Sequence, residues 1–125
     1  MKRVVWAALA AGALACLDTG GPVAGVLKVN LTTPNSGADG AVLLTVSGPA
    51  ALTSAAPGSG LRLFSQPLGT TNRFALTGRL ATGTILMIGV PDLSAAAGYT
   101  ATIQQVAAPS YQLRVLAGYS LAIGP

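Results

Sequence analysis

The chain has 125 residues, with seven Lys and Arg against three acidic residues, no His, and a formal charge of +4. The three acids are Asp18, Asp39 and Asp92; with neither His nor Glu, no Ser/His/Asp or Cys/His catalytic set can be assembled, and transition metals lack their usual ligands. One cysteine excludes an intrachain disulfide, so packing and hydrogen bonds must hold the fold.

In chain order, Lys2 and Arg3 give a positive start, residues 4–14 an apolar core, and Ala13 and Ala15 a small-residue cleavage site directly before Cys16. The apolar stretch is shorter than the about 20 residues that a spanning helix needs, and suits a signal core of about 7–15. MKRVVWAALAAGALAC resembles a bacterial lipoprotein signal over residues 1–16, departing from it at Ala13, where that family favours Leu. The resemblance implies a signal helix at 1–15 that is removed, and a Cys16 that is fatty-acylated and anchors the protein in a membrane of the cell envelope. The anchored protein would face the periplasm or the exterior. Ala13-Leu14-Ala15 also satisfies the A-x-A rule of ordinary secretion, which leaves Cys16 a plain N-terminal thiol.

Beyond the signal, Lys28, Arg62, Arg73, Arg79 and Arg114 stand singly against three Asp, a net of +2. Nucleic-acid binding draws on a dense basic patch, so none is expected. Roughly 110 residues make one small domain, and high apolar content with few charges argues against disorder. Residues 16–25 (CLDTGGPVAG) read as the acylated cysteine and a short flexible tether, with the domain at 26–125.

The domain reads as short strands between turn clusters. VLKVNLT at 26–32 alternates with period two after its first residue. AVLLTV at 41–46 and TILMIGV at 84–90 are continuous apolar runs, the pattern of strands buried on both faces or crossing between environments. LRLF at 61–64 and RFALT at 73–77 are shorter candidates, and residues 99–104 place Tyr99, Ala101 and Ile103 on one face. The most regular alternation is 113–123, with Leu113, Val115, Ala117, Tyr119, Leu121 and Ile123 on the expected inward side and Gly118 marking a bulge or bend. Ser94-Ala95-Ala96-Ala97 can form one helical turn that Gly98 stops.

About seven strands at this spacing predict an all-β, single β-sandwich of the immunoglobulin-like or cohesin-like kind. Asp92 through Tyr99 to Thr102 (DLSAAAGYTAT) resembles the segment entering the penultimate strand of immunoglobulin-like domains, which implies a tyrosine-corner hydrogen bond from Tyr99 to upstream backbone. LKVNL, DGAVLLTV and TILMIGVPD resemble cohesin-like and carbohydrate-binding-like sandwiches in pattern.

Few residues offer chemistry. Asp39 lies in NSGADG, read as a turn because one aspartate and one asparagine fall short of the about six to eight oxygens of a calcium site. Asp92 after Pro91 reads as turn chemistry, with pairing to an arginine as the alternative. The four arginines either converge on an anionic ligand or sit solvated on outward strand faces and loops, the latter being expected. Tyr111, beside Pro109 and Ser110, is the candidate ligand-binding aromatic, with loop or core packing as its alternative role. The loops at 33–40, 47–60 and 65–72 are the candidate binding surface, 47–60 being read as long and mobile. Together these features predict a non-catalytic binding or structural module of the envelope, without cofactor or metal, contacting an unknown protein or glycan. A carbohydrate-binding module and an assembly subunit of a surface structure are the rival readings.

Overall fold

The computed structural model describes residues 21–125; the signal, the cleavage site and Cys16 lie outside the described residues. Eight strands follow: β1 Gly25–Thr32, β2 Asp39–Ser47, β3 Ser54–Pro57, β4 Arg62–Leu68, β5 Thr71–Leu80, β6 Gly83–Val90, β7 Thr100–Ala107 and β8 Ser120–Gly124. A short 3-10 helix, Leu93–Gly98, precedes β7. Two antiparallel four-stranded sheets form, one in the order β3-β6-β1-β8 and the other β4-β5-β2-β7.

Period-two patterning builds one core between the sheets. Leu27, Val29 and Leu31 of β1 meet Val42, Leu44 and Val46 of β2, with Phe74, Leu76, Ile85, Leu86, Ile88 and Val106 around them, all fully or almost fully buried. Each such side chain contributes about 1.5–3 kcal/mol of burial. The alternate positions turn outward and are mostly polar or small, with Val26, Leu43 and Phe64 among the exposed apolar exceptions.

The two continuous apolar runs have different explanations. AVLLTV is not buried on both faces: Leu43 points out from the second sheet while Val42, Leu44 and Val46 point in. In β6 the register slips between Val29 and Asn30, whose partners are Leu86 and Thr84. The extra residue, Ile85, is buried beside Leu86, so two consecutive side chains enter the core. A second bulge lies in β7, where Leu43 pairs with Gln105 but Leu44 with Ile103. It puts Gln104 and Gln105 both outside and brings Val106 back into the core.

Three sequence expectations fail here. Segment 47–60 is not one long loop: β3 lies within it, fastened by Thr53 N–H to Gly89 O (2.9 Å) and Gly58 N–H to Ile85 O (2.8 Å). Segment 65–72 is mostly strand, because β4 runs to Leu68 and reaches β5 through Gly69-Thr70. Gly69 alone has positive φ there (72°), the signature of a type II′ hairpin. The regular alternation at 113–123 is a strand only from Ser120, and Leu113 and Val115 are exposed. Gly118 at φ 84° turns the chain, so only Tyr119, Leu121 and Ile123 pack on the core.

Tyr99 is buried and its hydroxyl donates to Ala50 O at 3.3 Å. The bond goes to upstream backbone, as expected, but to the segment after β2 on the far side of a sequence gap of 49 residues. Its ring lies directly on Gly48, where an added Cβ would overlap ring carbons. Gly48→Ala must therefore displace Tyr99 and is expected to cost about 1–3 kcal/mol in denaturant unfolding, whereas Gly124→Ala, with open space at its Cβ position, stays within about 0.5 kcal/mol.

Candidate functional site

The chain's polar interior centres on Asp39, whose side chain is fully buried. It opens β2 rather than lying in a turn, which corrects the sequence expectation. Its Oδ2 accepts from Thr33 Oγ1 (2.6 Å); its Oδ1 accepts from Arg114 Nε (3.1 Å) and from the Tyr119 hydroxyl (2.9 Å). Asn35 Nδ2 donates to Tyr119 Oη (2.9 Å), and Arg114 Nη2 to Ala38 O (3.0 Å). Three donors satisfy the one buried carboxylate, and Asn35 and Arg114 Nη2 brace them, which makes this cluster a structural clasp between residues 33–39 and 114–119. Arg114, expected as a solvated residue, is half of the ion pair.

Asp92 is the N-cap of the 3-10 helix, accepting from Ser94 N (3.0 Å) and Ser94 Oγ (2.7 Å). Those hydrogen bonds from Ser94, side chain first, hold its carboxyl below its ordinary value of 3.8. Beside it, Leu93 N–H donates to Val23 O (2.8 Å), so part of the expected tether is docked on the domain. Among the described residues no three metal-ligating side chains gather, and no helix is long and apolar enough to cross a membrane.

The outer face of the β4-β5-β2-β7 sheet has a different character. Phe64 and Leu43 are exposed there at 55% and 43%, on either side of Ala75 in one cross-strand row. The next row is Gln66, Arg73 and Thr45. Gln104 and Gln105, put outside by the β7 bulge, close the β7 edge, with Gln104 Nε2 reaching Thr45 Oγ1 at 3.5 Å. Together they line a half-open depression of about 460 Å³. Its apolar floor and amide rim can take the C–H surface and the hydroxyls or amides of a ligand at once.

A second depression of about 580 Å³ continues on the same face, lined by Ala41 and Thr77 and reaching Arg79, Pro109 and Tyr111. Tyr111 is 91% exposed, so the packed alternative for this residue is overturned. Its backbone is left-handed (φ 69°), a conformation that costs a non-glycine residue about 1–3 kcal/mol. Bonds from Tyr111 N to Ala108 O and from Ala108 N to Gln112 O, both 2.8 Å, hold that turn.

The sequence singled out Tyr111, the arginines and the loops, but not Phe64, Leu43 or the glutamines. Two signals carried them. Leu43 occupies the outward phase of the Val42-Leu44-Val46 alternation, and Phe64 shares phase with the charged Arg62. The Gln104-Gln105 pair marks the bulge.

Arg114→Met leaves the Asp39 carboxylate buried on hydroxyl donors alone. We expect a loss of about 2–4 kcal/mol, toward the lower end of buried-pair values because Arg114 keeps contact with water. Adding Asp39→Asn removes the orphaned charge and should recover part of the loss; equal unfolding midpoints for wild type and Arg114→Met would show that the pair carries nothing.

No protein-family model, curated protein or solved structure matches this chain.

Proposed function

We propose that this protein is a lipid-anchored, non-catalytic binding module of the bacterial cell envelope, with the outer face of the β4-β5-β2-β7 sheet as its ligand surface. The observation that carries the binding role is that face itself: an exposed aromatic and aliphatic floor edged by three glutamines and an arginine, in a concavity on a rigid sheet. A purely structural surface has no need to expose Phe64 and Leu43 in one cross-strand row flanking Ala75. The non-catalytic reading is supported by the fate of the aspartates in the fold. Asp39 is consumed in the clasp and Asp92 caps the 3-10 helix, so neither carboxylate lines the depression of Phe64 and Leu43 on this face. The anchor rests on the lipoprotein-like residues ending at Cys16.

Of the two finer sandwich types, the cohesin-like one is favoured. In the constant-type immunoglobulin arrangement the first two strands share a sheet, whereas here β1 and β2 lie in opposite sheets. A glycan is the ligand class best suited to an amide-rimmed apolar floor.

Two experiments test this reading. Intact mass of the membrane-extracted protein is expected to begin at Cys16 with added acyl chains, and Cys16→Ser to lack them; an unmodified Cys16 terminus would replace the anchor with ordinary secretion. In a glycan array, Phe64→Ser is expected to abolish binding, while Val26→Ser, exposed on the other sheet, leaves it intact. A blank array with folded protein, or binding indifferent to Phe64, would refute the face as the ligand surface.

A further inference from the structure

We propose that this face is a track for a linear acidic polysaccharide, with Arg62, Arg73 and Arg79 as its cationic contacts; the proposal rests on the reading of the face as the ligand surface. Three of the four arginines among the described residues fall on it. Arg62 sits opposite Thr77, and Arg73 between Gln66 and Thr45. Arg79 borders the second depression beside Gly37. All three are exposed, and among the described residues the one ion pair is that of Arg114 with Asp39. Of the two described aspartates, Asp39 borders the second depression but is buried and paired with Arg114, and Asp92 lies away from this face at the N-cap of the 3-10 helix, so no free carboxylate stands among the three guanidiniums. An uncompensated cationic face attracts anions, and the planar guanidinium fork matches carboxylate or sulfate.

The spacing selects a polymer over a small anion. Arg62 and Arg73 belong to rows four residues apart along β5, about 14 Å at strand rise, and Arg79 lies further on. One phosphate or free carboxylate cannot bridge such a line, but repeated charges on an extended chain can. The two depressions are also in line, because Ala41 and Thr77 of the second are the next outward residues after Leu43 and Ala75 of the first. The two depressions thus follow one another along β2 and β5. Between the cations stand groups suited to sugars: glutamine amides that donate and accept, the Phe64 ring against a sugar's C–H face, and the Tyr111 ring held out at the far end. A nucleic acid is less well served, since it favours a continuous basic strip and successive stacking platforms.

The test is affinity electrophoresis of the detergent-solubilised full chain against polygalacturonate, chondroitin sulfate, dextran and a single-stranded oligonucleotide. We expect the two acidic glycans to bind, dextran not to, and added salt to weaken binding. Arg62→Gln, Arg73→Gln and Arg79→Gln should each weaken it by about tenfold, and Tyr111→Ala by a few-fold, while Lys28→Gln on the other sheet has no effect. Dextran binding as well as polygalacturonate, with Phe64→Ser still abolishing both, would overturn the acidic class and leave the ligand face standing. Tighter binding of the oligonucleotide would overturn the glycan. Failure of all four probes with folded protein, or binding unchanged in the triple arginine variant, would overturn the track.

Discussion

A carboxylate removed from water must be given donors, and at Asp39 those donors come from two irregular segments that lie far apart in the sequence. Thr33 belongs to the connection after β1, as does Asn35, which donates to Tyr119 Oη; Arg114 and Tyr119 belong to the irregular stretch between β7 and β8. That stretch makes one isolated bridge, Ala107 to Leu113, and leaves Leu113, Val115 and Tyr111 exposed. Hydrophobic burial cannot account for its path. The turn at Tyr111 is held by its own backbone bonds and by Arg114 N–H to Val106 O, and the clasp ties the remainder of residues 108–119 to β2. An aspartate in this role also has directional value, because its two oxygens accept from different sides and fix both segments relative to β2.

The sequence revealed the strands in proportion to how strictly they alternate and how deeply they bury. β1, β2 and β6 were legible from Leu27-Val29-Leu31, Val42-Leu44-Val46 and the 84–90 run, whose inward residues form the core. β3 was hidden because Ser54-Ala55-Ala56-Pro57 is small and half exposed, so its pairing with β6 leaves no hydrophobic signature. Residues 113–123 misled in the opposite way. Their alternation is as regular as any in the chain, but Arg114 and Tyr119 are drawn to Asp39, and a glycine with positive φ breaks the strand between them. A polar contact distant in sequence outweighed a local pattern. The same reason hid the clasp, since nothing local distinguishes Asp39-Gly40 from an exposed turn.

The candidate site was only half legible for a related reason. An outward face is defined by parity relative to a buried one, and each bulge shifts that parity. The extra residue in β7 decides that Gln104 and Gln105 both face outward, and the extra residue between Gly78 and Leu80 accompanies the change of direction that carries Arg79 toward Gly37. The arginines were visible as single scattered charges. Their gathering on one sheet follows from strand order, which brings β4 and β5 side by side along a tight hairpin.

β1 is an interior strand, flanked by β6 and β8, and the chain enters it directly after Val23 is tied to Leu93. A load applied at the N-terminal end would run along β1, across ladders whose hydrogen bonds lie perpendicular to the strand. Those bonds are then strained together in shear rather than opened one after another like a zip. Through the shared core, β1 is also packed against the opposite sheet. Extracting β1 from that end therefore requires both of its ladders to break at once.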